Sequence, residues 1–282
     1  MDAHLPETAS QVTAALDREN PCKLSGMKLF QGHRDIMITI LIINSRGSRP
    51  HRRVSLTVPM RRDAVLELYW TLHAAYGEQG WWPGDDPFEI AVGAILTQRT
   101  AWTNAARAID GLRADGLLSV GALHGALMER VGCAVRPAGC FRSKARKLKA
   151  FAAHVVGRHD GDLDRMLDRP IEELRDELLG IYGIGPETAD AIALYAAGAT
   201  TFVVDAYTRR LLERLGWISG GESYDEVVRV MTDELPADAD LYNGFHALIV
   251  RHGKEHCRSR PVCDGCPLTG LCVYAGEGAS RR

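Results

Sequence analysis

The sequence predicts an all-α protein, and three observations carry that reading. From Arg62 onward apolar residues recur at spacings of three and four, helix-start signals punctuate the chain, and no run alternates polar with apolar residues as a half-buried strand would. Residues 1–60 differ: Pro, Gly and Ser are scattered, a basic stretch runs from Arg46 to Arg53, and no periodicity is sustained. This segment reads as a poorly ordered extension ahead of the folded chain.

The elements follow in order. Val65, Leu66, Tyr69, Leu72 and Tyr76 mark a first helix. Ser143 stands where an N-cap would open a helix over residues 144–156. Leu174, Leu178 and Ile181 repeat at helical spacing, and Ser223 with Glu226 forms a capping box ahead of a helix over residues 227–235. A further apolar helix spans residues 241–254.

The chain has 282 residues and a formal net charge of −2, so any nucleic-acid surface has to be local rather than global. The aliphatic run from Ile36 to Ile43 is far too short to span a bilayer, and no signal-peptide pattern opens the chain. The expectation is a cytoplasmic protein, not bound to membranes. Seven cysteines, four of them crowded near the C-terminus, suit a metal site in a reducing compartment better than a disulfide framework.

Residues 178–192 read as a helix, a very short Gly-x-Gly turn and a second helix. Gly183 and Gly185 flank Ile184, and Pro186 suits the first position of the second helix. Such a turn presents backbone N–H groups and a helix N-terminus to an anion such as a DNA phosphate, although an isolated Gly-x-Gly is more often a plain αα-corner. Eighteen residues after Glu187 comes Asp205, behind an apolar stretch and ahead of another helix. Taken alone, Asp205 reads as an N-cap.

Together the hairpin and Asp205 resemble the helix-hairpin-helix and Gly/Pro-rich-loop-Asp motif of the endonuclease III superfamily of DNA glycosylases, over roughly residues 61–275. The resemblance implies a two-lobed helix-hairpin-helix glycosylase fold acting on double-stranded DNA with a damaged base. It implies that Asp205 faces the sugar of a flipped nucleotide, stabilising the charge that develops as the glycosidic bond breaks and orienting water. It places Gly183, Ile184 and Gly185 against the DNA backbone. Members that also cut the strand carry a lysine where this chain has Glu187. Glu187 cannot form a Schiff base, so the resemblance implies a monofunctional enzyme that leaves an abasic site.

Cys257, Cys263, Cys266 and Cys272 form C-x5-C-x2-C-x5-C. Four such thiolates suit either tetrahedral zinc or an iron–sulphur cubane. The pattern resembles the C-terminal loop of endonuclease III relatives, one residue shorter in the first gap, which favours a [4Fe-4S] cluster over zinc. Cys22, Cys133 and Cys140 show no metal spacing.

Further stretches are similar to the 3-methyladenine glycosylase branch: Trp81-Trp-Pro83, Gly93 to Gln98 with Thr100 and Trp102, Val135 to Gly139, and His252-Gly-Lys254. This likeness implies that Trp82 and Trp102, with Trp81, line the base pocket, that Lys254 and Glu187 lie beside it, and that Gln98 fills the gap left in the duplex. An alkylated purine is already cationic, so it stacks on indoles and leaves without a strong acid. Five positive residues between Arg142 and Lys149 read equally as a backbone-tracking patch or a solubilising face.

The expected organisation is an extension over residues 1–60, one lobe from 61–89 and 205–275 carrying the cluster, a second from 90–204 holding the hairpin, and a tail over 276–282, in a monomer. The expected activity is hydrolysis of alkylated purines in base excision repair. The rivals are a glycosylase/AP lyase for oxidised or mismatched bases and a non-catalytic protein that binds DNA damage.

Overall fold

The computed structural model describes residues 64–81, 84 and 86–279. The expected extension over residues 1–60 lies outside the described residues, as do Trp82 and the end of the tail. Among the described residues the secondary structure is helical, with no strand.

Helix α1 (Ala64–Tyr76) buries Val65, Leu68 and Leu72 and leaves Leu66, Tyr69 and Tyr76 partly buried against the core. The stripe has the expected period but is centred on Leu68. Helix α2 (Pro87–Leu96) starts as sequence rules dictate: Pro87 at the first position and Asp86 accepting from the backbone N–H of Phe88 at 2.6 Å. Every residue from Ile90 to Leu96 is buried, so α2 is a central helix with neighbours all round.

Helices α3 (Trp102–Ala114), α4 (Val120–Gly125) and α5 (Met128–Ala134) lead through a 3-10 turn (Arg136–Ala138) into α6 (Phe141–His159). Helix α6 begins earlier than Ser143: Cys140 sits at its N-cap in the left-handed region, at φ 43°, with no side-chain cap. Ser143 falls within the first turn, because the entry angle set by Gly139 and Cys140 overrides the local capping preference. Helices α7 (Leu163–Leu167), α8 (Ile171–Leu179) and α9 (Pro186–Ala197) follow, then α10 (Ala206–Leu215), α11 (Tyr224–Thr232), α12 (Ala239–Glu255) and α13 (Val273–Ala279). The capping box at α11 forms as expected, with Ser223 and Glu226 reciprocating.

Helix α9 packs across α2 and α8, while α12 packs on α1, α9 and α10. Phe151, Phe202 and Phe245 are fully buried, each contributing roughly 1.5–3 kcal/mol. The α10–α12 crossing is especially tight: a Cβ at Gly253 would lie 2.3 Å from the ring of Tyr207. No helix among the described residues is long and apolar enough to cross a membrane.

Buried charge is used as mortar. Lys144 is 3% exposed, and its Nζ donates to Leu96 O (2.7 Å), Thr100 Oγ1 (2.6 Å) and Ala138 O (2.7 Å), tying the ends of three segments together. Lys147 donates to Gln98, and Lys149 to the carbonyls of His124 and Ala126. Three of the five positive residues of the Arg142–Lys149 stretch therefore act internally, and the patch is smaller than its sequence suggests. Asp190, fully buried, accepts from Arg175 at 2.9 Å and from Thr201 at 3.1 Å, which fixes α9 against α8.

Glu177 on α8 is nearly buried and accepts from His154 Nε2 and His159 Nε2 of α6, each at 2.6 Å, and from Arg169 on its other oxygen. Burial pushes its carboxyl up, but the two imidazole hydrogen bonds outweigh that and hold it down at about 2. A depressed carboxyl contributes stability above the ordinary glutamate range and loses it as pH falls toward about 2. Glu177→Gln is expected to lower the unfolding free energy by roughly 1–3 kcal/mol at neutral pH. Urea melts in an acid series should show the gap from wild type closing; a gap independent of pH would refute this origin.

Candidate active site

The apolar stretch Phe202, Val203 and Val204 is buried and delivers Asp205 to the start of α10. As sequence rules suggest, Asp205 is an N-cap: Oδ1 accepts from the backbone N–H of Thr208 at 2.8 Å and from its hydroxyl at 3.1 Å. The cap leaves Oδ2 free to face the interior. There it meets His246 of α12, whose Nε2 lies 3.7 Å away. His246 is 4% exposed, and its Nδ1 is 2.5 Å from the hydroxyl of Tyr195 on α9. Trp81 lies close enough to Tyr195 to lower its hydroxyl, against the larger raising effects of burial and of the Asp205 charge.

A line of polar groups thus runs from Trp81 through Tyr195 and His246 to Asp205. When the Tyr195 hydroxyl donates to Nδ1, the imidazole carries its proton on Nε2, aimed at the carboxylate. Burial would raise the Asp205 carboxyl, but the nearby His246 imidazole and the two donors of Thr208 together hold it below the ordinary aspartate value. Asp205 therefore stays ionised where few charges could.

Glu187 occupies the first turn of α9, near enough to Asp205 to feel its charge. Burial and the negative charge of Asp205 raise its carboxyl, against a smaller opposing effect of His246. Two carboxyls pushed in opposite directions form an acid/base arrangement: one stays ionised to oppose positive charge, the other holds a proton longer.

The hairpin is built as expected with one change. Gly183 adopts φ +85°, a conformation that favours glycine, and a Cβ there would strike the Lys147 side chain at 2.4 Å. Gly185 sits at φ −102°, which any residue adopts, and a Cβ would meet nothing within the protein. Its smallness therefore serves the outward face. Ile184 is buried, and its N–H bonds to Ile181 O at 3.1 Å, so it is not a free donor. Helix α9 has no side-chain cap, which leaves its first-turn N–H groups for an external acceptor.

Gln98 donates to Gly183 O at 3.0 Å and to Thr188 Oγ1 at 2.9 Å, and accepts from Lys147. It is stitched to the hairpin. Trp102 opens α3, half-buried against the core. The ammonium of Lys254, at the exposed end of α12, sits 5.9 Å from the centre of the Trp81 ring. Sequence reasoning missed Tyr195 and His246. Their helical positions look like core positions, and only the crossing of α9 and α12 shows that they meet Asp205.

Cys257, Cys263, Cys266 and Cys272 line one small enclosed space with Leu211, His252 and Leu268. Burial raises the Cys266 thiol, and the other three cysteines add to that, a mark of their nearness. Arg214 donates to Cys257 Sγ at 3.1 Å. Among the described residues, a second candidate ligand set is His154, His159 and Glu177, whose ligand atoms all lie within 4.8 Å of one another.

Comparison with known proteins identifies the family and the fold. Residues 92–237 match the family described as HhH-GPD superfamily base excision DNA repair protein. A candidate DNA repair glycosylase of Methanocaldococcus jannaschii is 40% identical over 213 residues, covering 75% of this chain and 96% of that protein. Endonuclease III of Sulfolobus acidocaldarius is 31% identical over 189 residues, 66% of this chain and 82% of that one. The solved structure of a non-covalent endonuclease III–DNA complex shares the fold at TM-score 0.68 and 21% identity, covering 79% of this chain and 100% of the other. The chain belongs to the HhH-GPD superfamily of base excision DNA repair proteins, and is a DNA glycosylase with the endonuclease III fold.

Proposed function

We propose that this glycosylase hydrolyses the N-glycosidic bond of alkylated purines of the 3-methyladenine type in duplex DNA and leaves the strand intact. The observation that carries the proposal is the Asp205 site: a half-buried carboxylate held ionised by His246 and Thr208 with Tyr195 beside it, and Glu187 where strand-cutting relatives hold a lysine. A damaged nucleotide turned out of the helix brings its sugar to Asp205. The carboxylate opposes the positive charge that grows on the sugar and orients the attacking water. Trp81, with Trp82 and Trp102 as further proposed pocket residues, stacks on the cationic base. The hairpin from Gly183 to Gly185 and the first turn of α9 hold a backbone phosphate. Lys254 stands at the pocket's edge beside Trp81.

The four cysteines suit a [4Fe-4S] cluster. Their spacing holds only one C-x2-C pair, whereas zinc ribbons usually use two. Cys257, Cys263, Cys266 and Cys272 would hold it, and Arg214 would balance its charge. When bound, the cluster supplies folding energy to this end of the chain rather than chemistry at Asp205.

Asp205→Asn should reduce release of free 3-methyladenine from methylated duplex by orders of magnitude while duplex binding survives. Wild type should leave the strand uncut until alkali is added and resist trapping by borohydride. A trapped adduct would identify an amine nucleophile, with Lys254 the one beside the pocket, and near-normal excision by the Asn variant would reduce Asp205 to a helix cap.

His246→Leu removes a lowering influence on Asp205, so the Asp205 carboxyl should rise and the acid limb of single-turnover base release should move to higher pH. An unmoved limb would separate His246 from the catalytic carboxylate. Protein purified without oxygen should be brown and contain iron and sulphide, with the colour lost in the Cys263→Ser variant; stoichiometric zinc in place of iron would defeat the cluster assignment.

A further inference from the structure

Away from the Asp205 site, one nearly buried cluster has the make-up of a cation site. His154 and His159 of α6 and Glu177 of α8 bring three ligand atoms, the two Nε2 and one carboxylate oxygen, within 4.8 Å of one another. Both Nε2 atoms lie 2.6 Å from the same oxygen, Oε1, while Arg169 holds the other, Oε2. The side chains of His159 and Glu177 are 9% exposed and that of His154 22%, so the cluster is shielded on one side and reachable on the other. The histidines stand five residues apart, a spacing that does not share one helix face. Their convergence is made by α8, which brings Glu177 within reach of both.

Without a cation the cluster is a set of hydrogen bonds, and a crowded one. An N–H···O bond is ordinarily about 2.7–3.2 Å long, and two shorter ones meet here on a single oxygen. Were both rings charged, they and Arg169 would set three cations on one carboxylate. Neutral rings with bare Nε2 atoms present two lone pairs and a carboxylate oxygen to one point, the donor set of a two-histidine, one-carboxylate zinc site. Zinc bound at about 2.0–2.2 Å by tetrahedral ligands sets their atoms about 3.4 Å apart, inside the 4.8 Å span, so each imidazole has to withdraw by less than about 1 Å. Arg169 then steadies the ligating carboxylate through Oε2, as outer partners of metal ligands do. Neighbouring positive charge is offset, Arg165 by Asp160 at 3.0 Å and Arg169 also by Glu173 at 2.6 Å. A surface pocket of about 350 Å³, lined by Arg158, His159, Arg165, Arg169 and Glu177, supplies an entry path and room for a water or small anion as fourth ligand.

We propose that His154, His159 and Glu177 bind a divalent transition-metal cation of the zinc type, which staples α6 to α8. On binding, each neutral imidazole moves its proton from Nε2 to Nδ1 through solvent, and the nitrogen that donated to Glu177 becomes a ligand. The site uses none of the four cysteines and not Asp205, so it stands whichever lesion is removed and whatever the cysteines hold. Its place in the fold gives it a structural task. Helix α8 leads into the Gly183 turn, and α6 carries Lys147, which bonds Gln98. A cation joining these helices steadies the first helix of the hairpin and takes no part in breaking the glycosidic bond.

The test is addition of metal to the full-length protein, purified without oxygen and passed over a chelating resin. Cobalt(II), a coloured substitute for zinc, should bind with visible d–d bands that carry no thiolate-to-cobalt charge transfer, and zinc should displace it. Zinc at about 100 times its dissociation constant should raise the melting temperature by about 5–10 °C. His154→Gln, which keeps a hydrogen-bond donor at a partly exposed position, should weaken binding by more than about 100-fold and abolish that rise. Nitrogen NMR spectra of the wild-type imidazoles should show two rings passing to the Nδ1-protonated, Nε2-ligated form, a measurement that needs no variant. Thiolate charge transfer as the sole cobalt signal would place the metal on the cysteines and overturn the proposal. So would a rise in melting temperature that His154→Gln retains, or imidazole spectra unmoved by zinc.

Discussion

The molecule is organised around the need to keep one carboxylate charged inside protein. An ion removed from water is unstable unless local dipoles and charges replace what water supplied. Asp205 receives that replacement from three directions: the N–H and hydroxyl of Thr208, and the imidazole of His246. The first two come from its own helix, the third from a helix far along the chain. The cleft therefore exists only where α9, α10 and α12 meet. The steric lock of Gly253 against Tyr207 sets α10 against α12, the helices that begin at Asp205 and carry His246. In the proposed reaction, a carboxylate fixed in place before substrate arrives needs little reorganisation as positive charge develops on the sugar.

The same economy governs the cations. With a net charge of −2 the chain does not rely on bulk positive potential, and several basic residues are turned inward. Lys144 joins α2, the turn after it and the segment before α6; Lys147 joins Gln98 to the hairpin side. These bonds stiffen the surface around the hairpin, the face proposed to meet DNA, instead of merely charging it. Arg146 stays outside, 5.1 Å over the ring of exposed Tyr182 at the tip of the hairpin. Rigid presentation of a few donors gives register on a duplex, where a diffuse basic surface gives only attraction.

The cysteine end is tied to the Asp205 end through α10. Asp205 caps its start, and Arg214 near its end bonds Cys257 Sγ and the carbonyls of Arg258 and Ser259. His252, six residues beyond His246 on α12, touches Cys266 at 3.9 Å and Tyr76 of α1 at 2.9 Å. Two helices thus carry both centres, and the loop of cysteines braces the ends that the cleft does not.

The sequence alone determined what depends on local chemistry. Helical periodicity, the capping box at Ser223, the Gly-x-Gly turn with Pro186, the spacing to Asp205, and the four cysteines were all legible, because each is a relation between residues close in the chain. Glu187 in place of a lysine was legible for the same reason. The start of α6 was misplaced because a strained entry at Cys140 outweighed the capping preference of Ser143. Tertiary structure decided the rest. Tyr195 and His246 carry no local signal, and they become part of the site only where α9 crosses α12. Lys144 and Lys147 read as surface charge until packing surrounds them with carbonyls, and Gln98 reads as a free side chain until the hairpin accepts it. Such partners lie tens of residues apart, and the physical reason they escape a linear reading is that burial and hydrogen-bond satisfaction are properties of the space a residue occupies.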